Sequence, residues 1–277
     1  MRASWLARCR AITAMLREDG AARYLRRHPE VARVLLSALL PGQVDRPRGG
    51  DSCPERSPEV PPARTIWTYW DQGVDAIPVF HRLCLETWRR HCPDWQIVVL
   101  DPQRLSRFLQ PEDLPAGFAG IRRRQAKSDL VRLALLARHG GVWMDSSILL
   151  QTGLDPLLWQ PIERGRAQMG YCSLRRWSRR GIDDVLESWL IACRPRCPLV
   201  VRMHECVNEL WRDRTDYPGV IDHPLFYGVD LQLIDNPEYL FVHAVFQALV
   251  QREPACREVM LDDAVVVPAD ATAFLWQ

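Results

Sequence analysis

Residues 126–150 read AKSDLVRLALLARHGGVWMDSSILL, and this stretch decides the fold. Leu130, Leu133, Ala134 and Ala137 recur at helical spacing from about Ala126, and the helix has to stop at Gly140-Gly141, where a left-handed C-cap costs little. Asp129 and Arg132 are three residues apart and so share one helix face. Beyond the glycines, Val142-Trp143-Met144 is a short apolar strand that ends at Asp145-Ser146-Ser147. Polar groups just past the C-terminal end of a strand sit where open α/β sheets bind their ligands.

Upstream, a strand opens at Arg64 and runs through Ile66-Trp67-Thr68-Tyr69-Trp70. A helix follows over about Val79 to His91, then a strand Gln96–Leu100 ending at Asp101, then an irregular proline-containing segment to Gly120. This βαβ alternation implies an α/β fold with a largely parallel sheet. Downstream of Leu150 the pattern reads as helical, with amphipathic runs over Ile182–Arg194, Leu199–Trp211 and Leu240–Gln251, and Val265–Pro268 adds one late edge strand. The predicted domain spans 64–277, with a ligand-binding half (64–150) and a mostly helical half (151–277). Ahead of it, residues 1–40 read as a small helical arm whose apolar stripes are Trp5, Cys9, Ile12, Leu16 and Val31, Val34, Leu35, Ala38. Residues 41–63 read as a Pro/Gly/Arg-rich linker.

The chain is 47% hydrophobic and 25% charged, a globular balance that excludes disordered and fibrous classes. The net charge of +2 hides an asymmetry: residues 1–50 hold ten Arg against four acids, so the remainder is slightly acidic. That remainder lacks a basic stripe with stacking aromatics, which argues against nucleic acid as a partner. The arm, with Trp5 and Leu16 beside Arg2, Arg8, Arg10 and Arg17, suits either a peripheral contact with an anionic membrane or packing on the domain or a partner. No run approaches the roughly 20 apolar residues of a spanning helix, and the arginines interrupt any signal-peptide centre. The expectation is a cytoplasmic protein, at most peripheral on the cytoplasmic face of the membrane. Nine cysteines without the paired spacing of a zinc site read as reduced, buried thiols.

Ser128-Asp129-Leu130-Val131-Arg132 followed by Gly140-Gly141-Val142-Trp143-Met144-Asp145 resembles the signature of bacterial capsular polysaccharide synthesis proteins. These are relatives of the glycosyltransferases with an Asp-x-Asp sugar-binding motif (glycosyltransferase family 32-like). Ile66 to Gly73 resembles the family's opening strand, and Glu187-Ser188-Trp189-Leu190-Ile191-Ala192 and Tyr239-Leu240-Phe241-Val242-His243 resemble later blocks, so the likeness covers about Arg64 to the C-terminus. It implies a glycosyltransferase-A-like, Rossmann-like fold. The implied enzyme is a hexosyltransferase-like protein that moves a sugar from a nucleotide-sugar donor to a polysaccharide or glycolipid acceptor in surface or capsular polysaccharide synthesis, with Mn²⁺ or Mg²⁺. Retention of configuration is implied by the wider family only.

Breaking the donor's glycosidic bond builds negative charge on the departing diphosphate, which has to be offset by a metal or fixed N–H donors. Asp145 is the candidate metal end and Arg132 the candidate phosphate clamp, with Lys127 adding charge nearby. By resemblance, Asp129 accepts hydrogen bonds from donor hydroxyls. Asp145-Ser146-Ser147 departs from Asp-x-Asp, so Ser147 stands where the second carboxylate would and is the second candidate metal ligand. That replacement is what favours the alternative of a non-catalytic sugar- or nucleotide-binding member; a protein-glycosylating effector is the other alternative. Trp70 matches the family's base-stacking tryptophan. Strand alternation turns Trp67 and Tyr69 away from Trp70, leaving Trp67 open between site and core. His223, His243, Asp230, Asp262 and Asp263 are possible late ligands, and Asp183, Asp184 and Glu187 possible acceptor contacts, or a helix-start acidic cluster.

Overall fold

The computed structural model describes residues 64–150, 152–173, 186–232, 234–268 and 274–275, with Pro29 and Arg33 helical in the arm. The predicted arm and linker otherwise lie outside the described residues, as do Asp183 and Asp184.

Strand β1 (Thr65–Tyr69) is buried along its whole length. It pairs in parallel with β2 (Gln96–Leu100) on one side and β3 (Gly141–Met144) on the other. Helix α1 (Val79–His91) connects β1 to β2, and α2 (Arg124–His139) leads into β3. Both helices and all three strands fall where the sequence predicts them. The turn into β3 requires glycine twice. Gly140 and Gly141 have φ of 65° and 90°, and a Cβ on Gly141 would lie 2.7 Å from the Thr65 carbonyl oxygen. The Trp67 indole N–H donates to the Gly140 carbonyl at 2.8 Å, tying β1 to the end of α2.

The second half departs from expectation. The predicted helix over Ile182–Arg194 is, in its described part, strand β6 (Leu186–Cys193). It pairs antiparallel with β3 and with β5 (Met169–Ser173). The edge strand β7 (Ala264–Pro268) is present and runs parallel to β5. The six-stranded sheet, ordered β2-β1-β3-β6-β5-β7, is therefore mixed rather than largely parallel, and half of its strands come from the part read as mostly helical. The physical reason is burial on both faces. Ile191 and Cys193 enter one core while Leu190 and Ala192 enter the other. Such a strand reads as an unbroken apolar run, which periodicity alone does not separate from a helix.

Helices α4 (Pro198–Leu210), α5 (Phe241–Arg252) and α6 (Pro254–Asp262) pack with α2 over the first core, and α1 covers the second together with the short α3 (Gln160–Glu163). A two-residue strand, β4 (Leu149–Leu150), pairs with β8 (Phe274–Leu275). Seven described cysteines are free and buried. Among the described residues, no helix is long and apolar enough to cross a membrane.

Candidate active site

The C-terminal ends of β1 and β3 open into a cleft of about 670 Å³. Asp145 follows β3 directly. Its backbone N–H donates to the Trp189 carbonyl on β6 at 3.0 Å, and its own carbonyl accepts from Ile148 N–H, which closes the turn through Ser146 and Ser147. The buried stripe of α2 fixes that helix against β1 and β3, and so turns Asp129 and Arg132 into the same cleft.

Arg132 sits between two carboxylates. Its Nη2 donates to Asp145 Oδ1 at 2.8 Å, its Nη1 lies 2.7 Å from Asp129 Oδ1, and the guanidinium stacks 5.0 Å from the Trp143 ring centre. Trp143 Nε1 donates to the same Asp145 oxygen at 2.7 Å. The Arg132 side chain is only 3% exposed, against 16% for Asp129 and 25% for Asp145. Burial pushes the Asp129 carboxyl up to about 6. Arg132 opposes that rise, Asp145 adds to it and His243 opposes it. The cluster thus holds two acids and one guanidinium at the floor of the cleft, shielded enough for electrostatics to be strong.

The two tryptophans of the first strand part company. Trp70 lines the cleft, 4.7 Å from the His81 ring, and its buried indole N–H has no hydrogen-bond acceptor among the described residues. Trp67 is fully buried, edge-on to Phe108 at 5.1 Å, with its N–H spent on Gly140. The structure assigns Trp67 to the core because alternation along β1 turns it onto the opposite face of the sheet from Ile66. Lys127 stands off the cleft wall and pairs with Asp71 at 3.7 Å; Asp71 also accepts a 2.7 Å hydrogen bond from the Tyr69 hydroxyl. Burial and that bond raise the Tyr69 phenol well above its ordinary value, so it stays protonated.

His81 was not singled out by its sequence context. Its Nδ1 lies 3.0 Å from Ser146 Oγ, and burial lowers its pKa against the opposing pull of Ser146 and Asp145. The available signal was position: the first turn of α1 follows soon after β1 and shares the sheet edge where β1 and β3 end. Of the later residues, Glu187 and His243 line the cleft and lie 3.9 Å apart. His223, Asp230, Asp262 and Asp263 do not line it. His223 accepts from Leu225 N–H, Asp230 from Gln232 N–H, and Asp263 from the Gln168 amide, all local or structural bonds.

Ser147 joins Asp145 on the cleft wall. Among the described residues, no three His, Cys, Asp or Glu side chains gather into a metal-binding group. Asp145 and Ser147 are the oxygen donors that could hold a hard divalent cation such as Mg²⁺ or Mn²⁺.

Residues 51–222 match the family described as capsular polysaccharide synthesis protein. The chain is 31% identical over 173 residues to the glycosyltransferase afumC of Aspergillus fumigatus, a match that covers 58% of this chain and 44% of that one. It is 27% identical over 173 residues to the O-glycosyltransferase braB of Annulohypoxylon truncatum, covering 58% and 41%. The chain thus spans less than half the length of these curated relatives. Among solved structures, the PaToxG glycosyltransferase is similar over 94% of this chain and 95% of that one, with a TM-score of 0.41 and 15% identity.

Proposed function

The chain belongs to the capsular polysaccharide synthesis protein family, and from that premise we propose that it is a glycosyltransferase using a nucleotide-sugar donor. Its relatives are glycosyltransferases by name, two of them O-glycosyltransferases, which supports transfer to a hydroxyl. The observation that carries the reading is the buried Asp129–Arg132–Asp145 cluster at the floor of a cleft at the sheet's ligand-binding edge. Holding a charged cluster out of water costs stability, and perturbed carboxyls in a cleft mark functional sites.

In this reading the donor lies with its nucleobase against Trp70 on the cleft wall. Asp129 accepts hydrogen bonds from donor hydroxyls, and Arg132 holds both carboxylates, donating to Asp145 and lying in ion-pair contact with Asp129. Asp145 and Ser147 would hold a divalent cation that offsets the diphosphate's growing charge. The neutral His81, bonded to Ser146, keeps the strand-end turn in place. The acceptor is a hydroxyl of a surface glycan or glycolipid, and the basic excess of residues 1–50 would suit contact with an anionic membrane that carries such an acceptor.

A panel of nucleotide-sugars screened by thermal shift and slow donor hydrolysis, with and without Mn²⁺, tests the proposal. One donor should raise the melting temperature and be hydrolysed, and Asp145→Ala should lose both effects. Stabilisation by a donor without hydrolysis or transfer to any glycan acceptor would favour the non-catalytic alternative, which the hydroxyl of Ser147 in place of a second carboxylate supports. No response to any donor would remove the proposal.

A further inference from the structure

Residues 211–240 connect α4 to α5, and their regular structure among the described residues is the short turn Pro224–Phe226. Connections longer than about 15 residues without secondary structure of their own are mostly working loops or disordered ones. This one is anchored. Val220, Phe226 and Ile234 are buried, the Glu238 carboxylate accepts from Gly219 and Ile221 N–H at 2.9 and 3.2 Å, and Arg252 of α5 donates to the Pro224 and Leu225 carbonyls. Its C-terminal end enters the cleft, where Ile234, Tyr239 and Leu240 form part of the wall.

The same loop turns large apolar side chains outward. Of the five exposed large hydrophobic residues among the described ones, four belong to it: Tyr217, Ile221, Tyr227 at 64% and Tyr239 at 50% exposure. One such residue needs no explanation, but several on an anchored loop that leads into a cleft are a binding surface. The loop's own bonds bring three of them into one neighbourhood. Glu238, beside Tyr239, holds the Ile221 N–H, and the Tyr227 hydroxyl donates at 3.2 Å to the carbonyl of Asp222, next to Ile221. Tyr217 is set apart, since the Arg123 guanidinium covers its ring at 4.1 Å.

The loop's charge selects among partners. Residues 217–239 contain four acids, Asp222, Asp230, Asp235 and Glu238, and no lysine or arginine. They repel an anionic lipid surface or an acidic polysaccharide. They suit an uncharged glycan, whose sugar rings can lay their C–H faces on tyrosine rings and whose hydroxyls can donate to the exposed Asp222 and Asp235. We propose that Ile221, Tyr227 and Tyr239 form a track for the acceptor, and that this acceptor is an uncharged glycan several sugars long. The proposal rests on the glycosyl-transfer reading above and names the class of acceptor within it. Tyr239, on the cleft wall, holds a sugar close to the one that reacts, and Ile221 and Tyr227 hold sugars further along the chain. Affinity therefore rises with chain length until the track is filled, because a single sugar reaches only one of these side chains. The loop is already held by its own bonds, so the glycan has little of it left to order.

Affinity electrophoresis of the full chain through gels containing an α-glucan, a β-glucan, a mannan or a galactan, all uncharged, tests the track. Hyaluronan gels and sedimentation with phosphatidylglycerol vesicles are the anionic comparisons. At least one neutral polymer should retard the wild type, and a six-sugar fragment of it should compete about tenfold better than its single sugar. Tyr227→Ala and Tyr239→Ala should each weaken the retardation about tenfold. Phenylalanine at either position should keep it within about twofold, because the ring rather than the hydroxyl makes the contact. Leu261, 62% exposed on α6 and outside the loop, is the control, and Leu261→Ala should behave as wild type. The melting temperature of each variant shows that it is folded, and if one alanine variant does not fold the other decides. Retardation by none of the neutral polymers would overturn the proposal, as would equal retardation of wild type and both alanine variants, or a single sugar competing as well as six. Binding to hyaluronan or to vesicles that falls in the tyrosine variants, without binding to a neutral polymer, would overturn it in favour of an acidic glycan or a membrane. A donor response without neutral-glycan binding would leave the transferase reading standing and remove the track alone. Tyrosine-dependent glycan binding without response to any donor would keep the track and remove the transferase reading.

Discussion

Arg202 and Arg132 each hold two carboxylates, and they do opposite things. Arg202 on α4 donates to Glu253 through Nε at 3.1 Å and Nη2 at 2.9 Å, and its Nη1 contacts Glu205. That network is 41% exposed at the arginine, so water screens it and its net worth is at most about 1 kcal/mol. Arg132 makes a comparable pair of contacts at 3% exposure. There the Coulomb attraction is far larger, and so is the cost of stripping water from three charges. The surface network trims the junction between α4 and the start of α6. The buried one is a liability to the fold that a cleft with work to do would retain.

Removing the guanidinium should break that contrast most visibly. Arg132→Ala leaves Asp129 and Asp145 facing each other without a cation, and a destabilisation of about 3–5 kcal/mol is expected in urea unfolding, together with loss of donor-induced stabilisation. A change below about 1 kcal/mol would place Arg132 in the same class as Arg202.

Asp129→Asn should act in the other direction on stability. The carboxyl is raised to about 6 in the fold from an ordinary 3.8, so the folded state holds the proton more tightly than the unfolded one. That favourable contribution is complete below about pH 4, is lost as pH rises through about 6, and leaves a deficit of about 3 kcal/mol at neutral pH. The asparagine has no charge to bury. Unfolding at pH 4 and at pH 7 should therefore show wild-type stability falling relative to the variant, and the variant more stable at pH 7 though inactive. Equal pH dependence of the two proteins would contradict the buried-acid account.

Arg202→Ala is the small end of the series. Its urea midpoint should shift by no more than about 1 kcal/mol, shrinking further in high salt, with donor hydrolysis unchanged. A loss near that of Arg132→Ala would mean that exposure does not separate the two networks.

The same difference in environment explains what the sequence could and could not tell. Helix α2, the Gly140-Gly141 turn and β3 were legible because each has a local cause: a 3.6-residue apolar period, two positive φ angles and a strand end. The placement of Asp129, Arg132 and Asp145 in one cleft followed from those elements. Strand β6 was not legible, since burial on both faces erased the alternation that marks a strand. That miss also hid the sheet's mixed direction and the way Glu187 reaches the cleft. Trp67 and Trp70 were separable only in part. Alternation set them on different faces, but it took the packing of Phe108 and His139 around Trp67 to assign that face to the core. His81 lay beyond any motif because its role comes from Ser146, 65 residues away in the chain.

The central claim is that the Arg132 cluster is the floor of a nucleotide-sugar site. Calorimetric titration of the stabilising donor into wild type and Asp145→Ala, each first shown to be folded by its unliganded melting temperature, tests it most directly. The account predicts saturable binding to the wild type and an affinity at least tenfold weaker in the variant, a difference of about 1.4 kcal/mol or more. Equal affinity in the two proteins would contradict it.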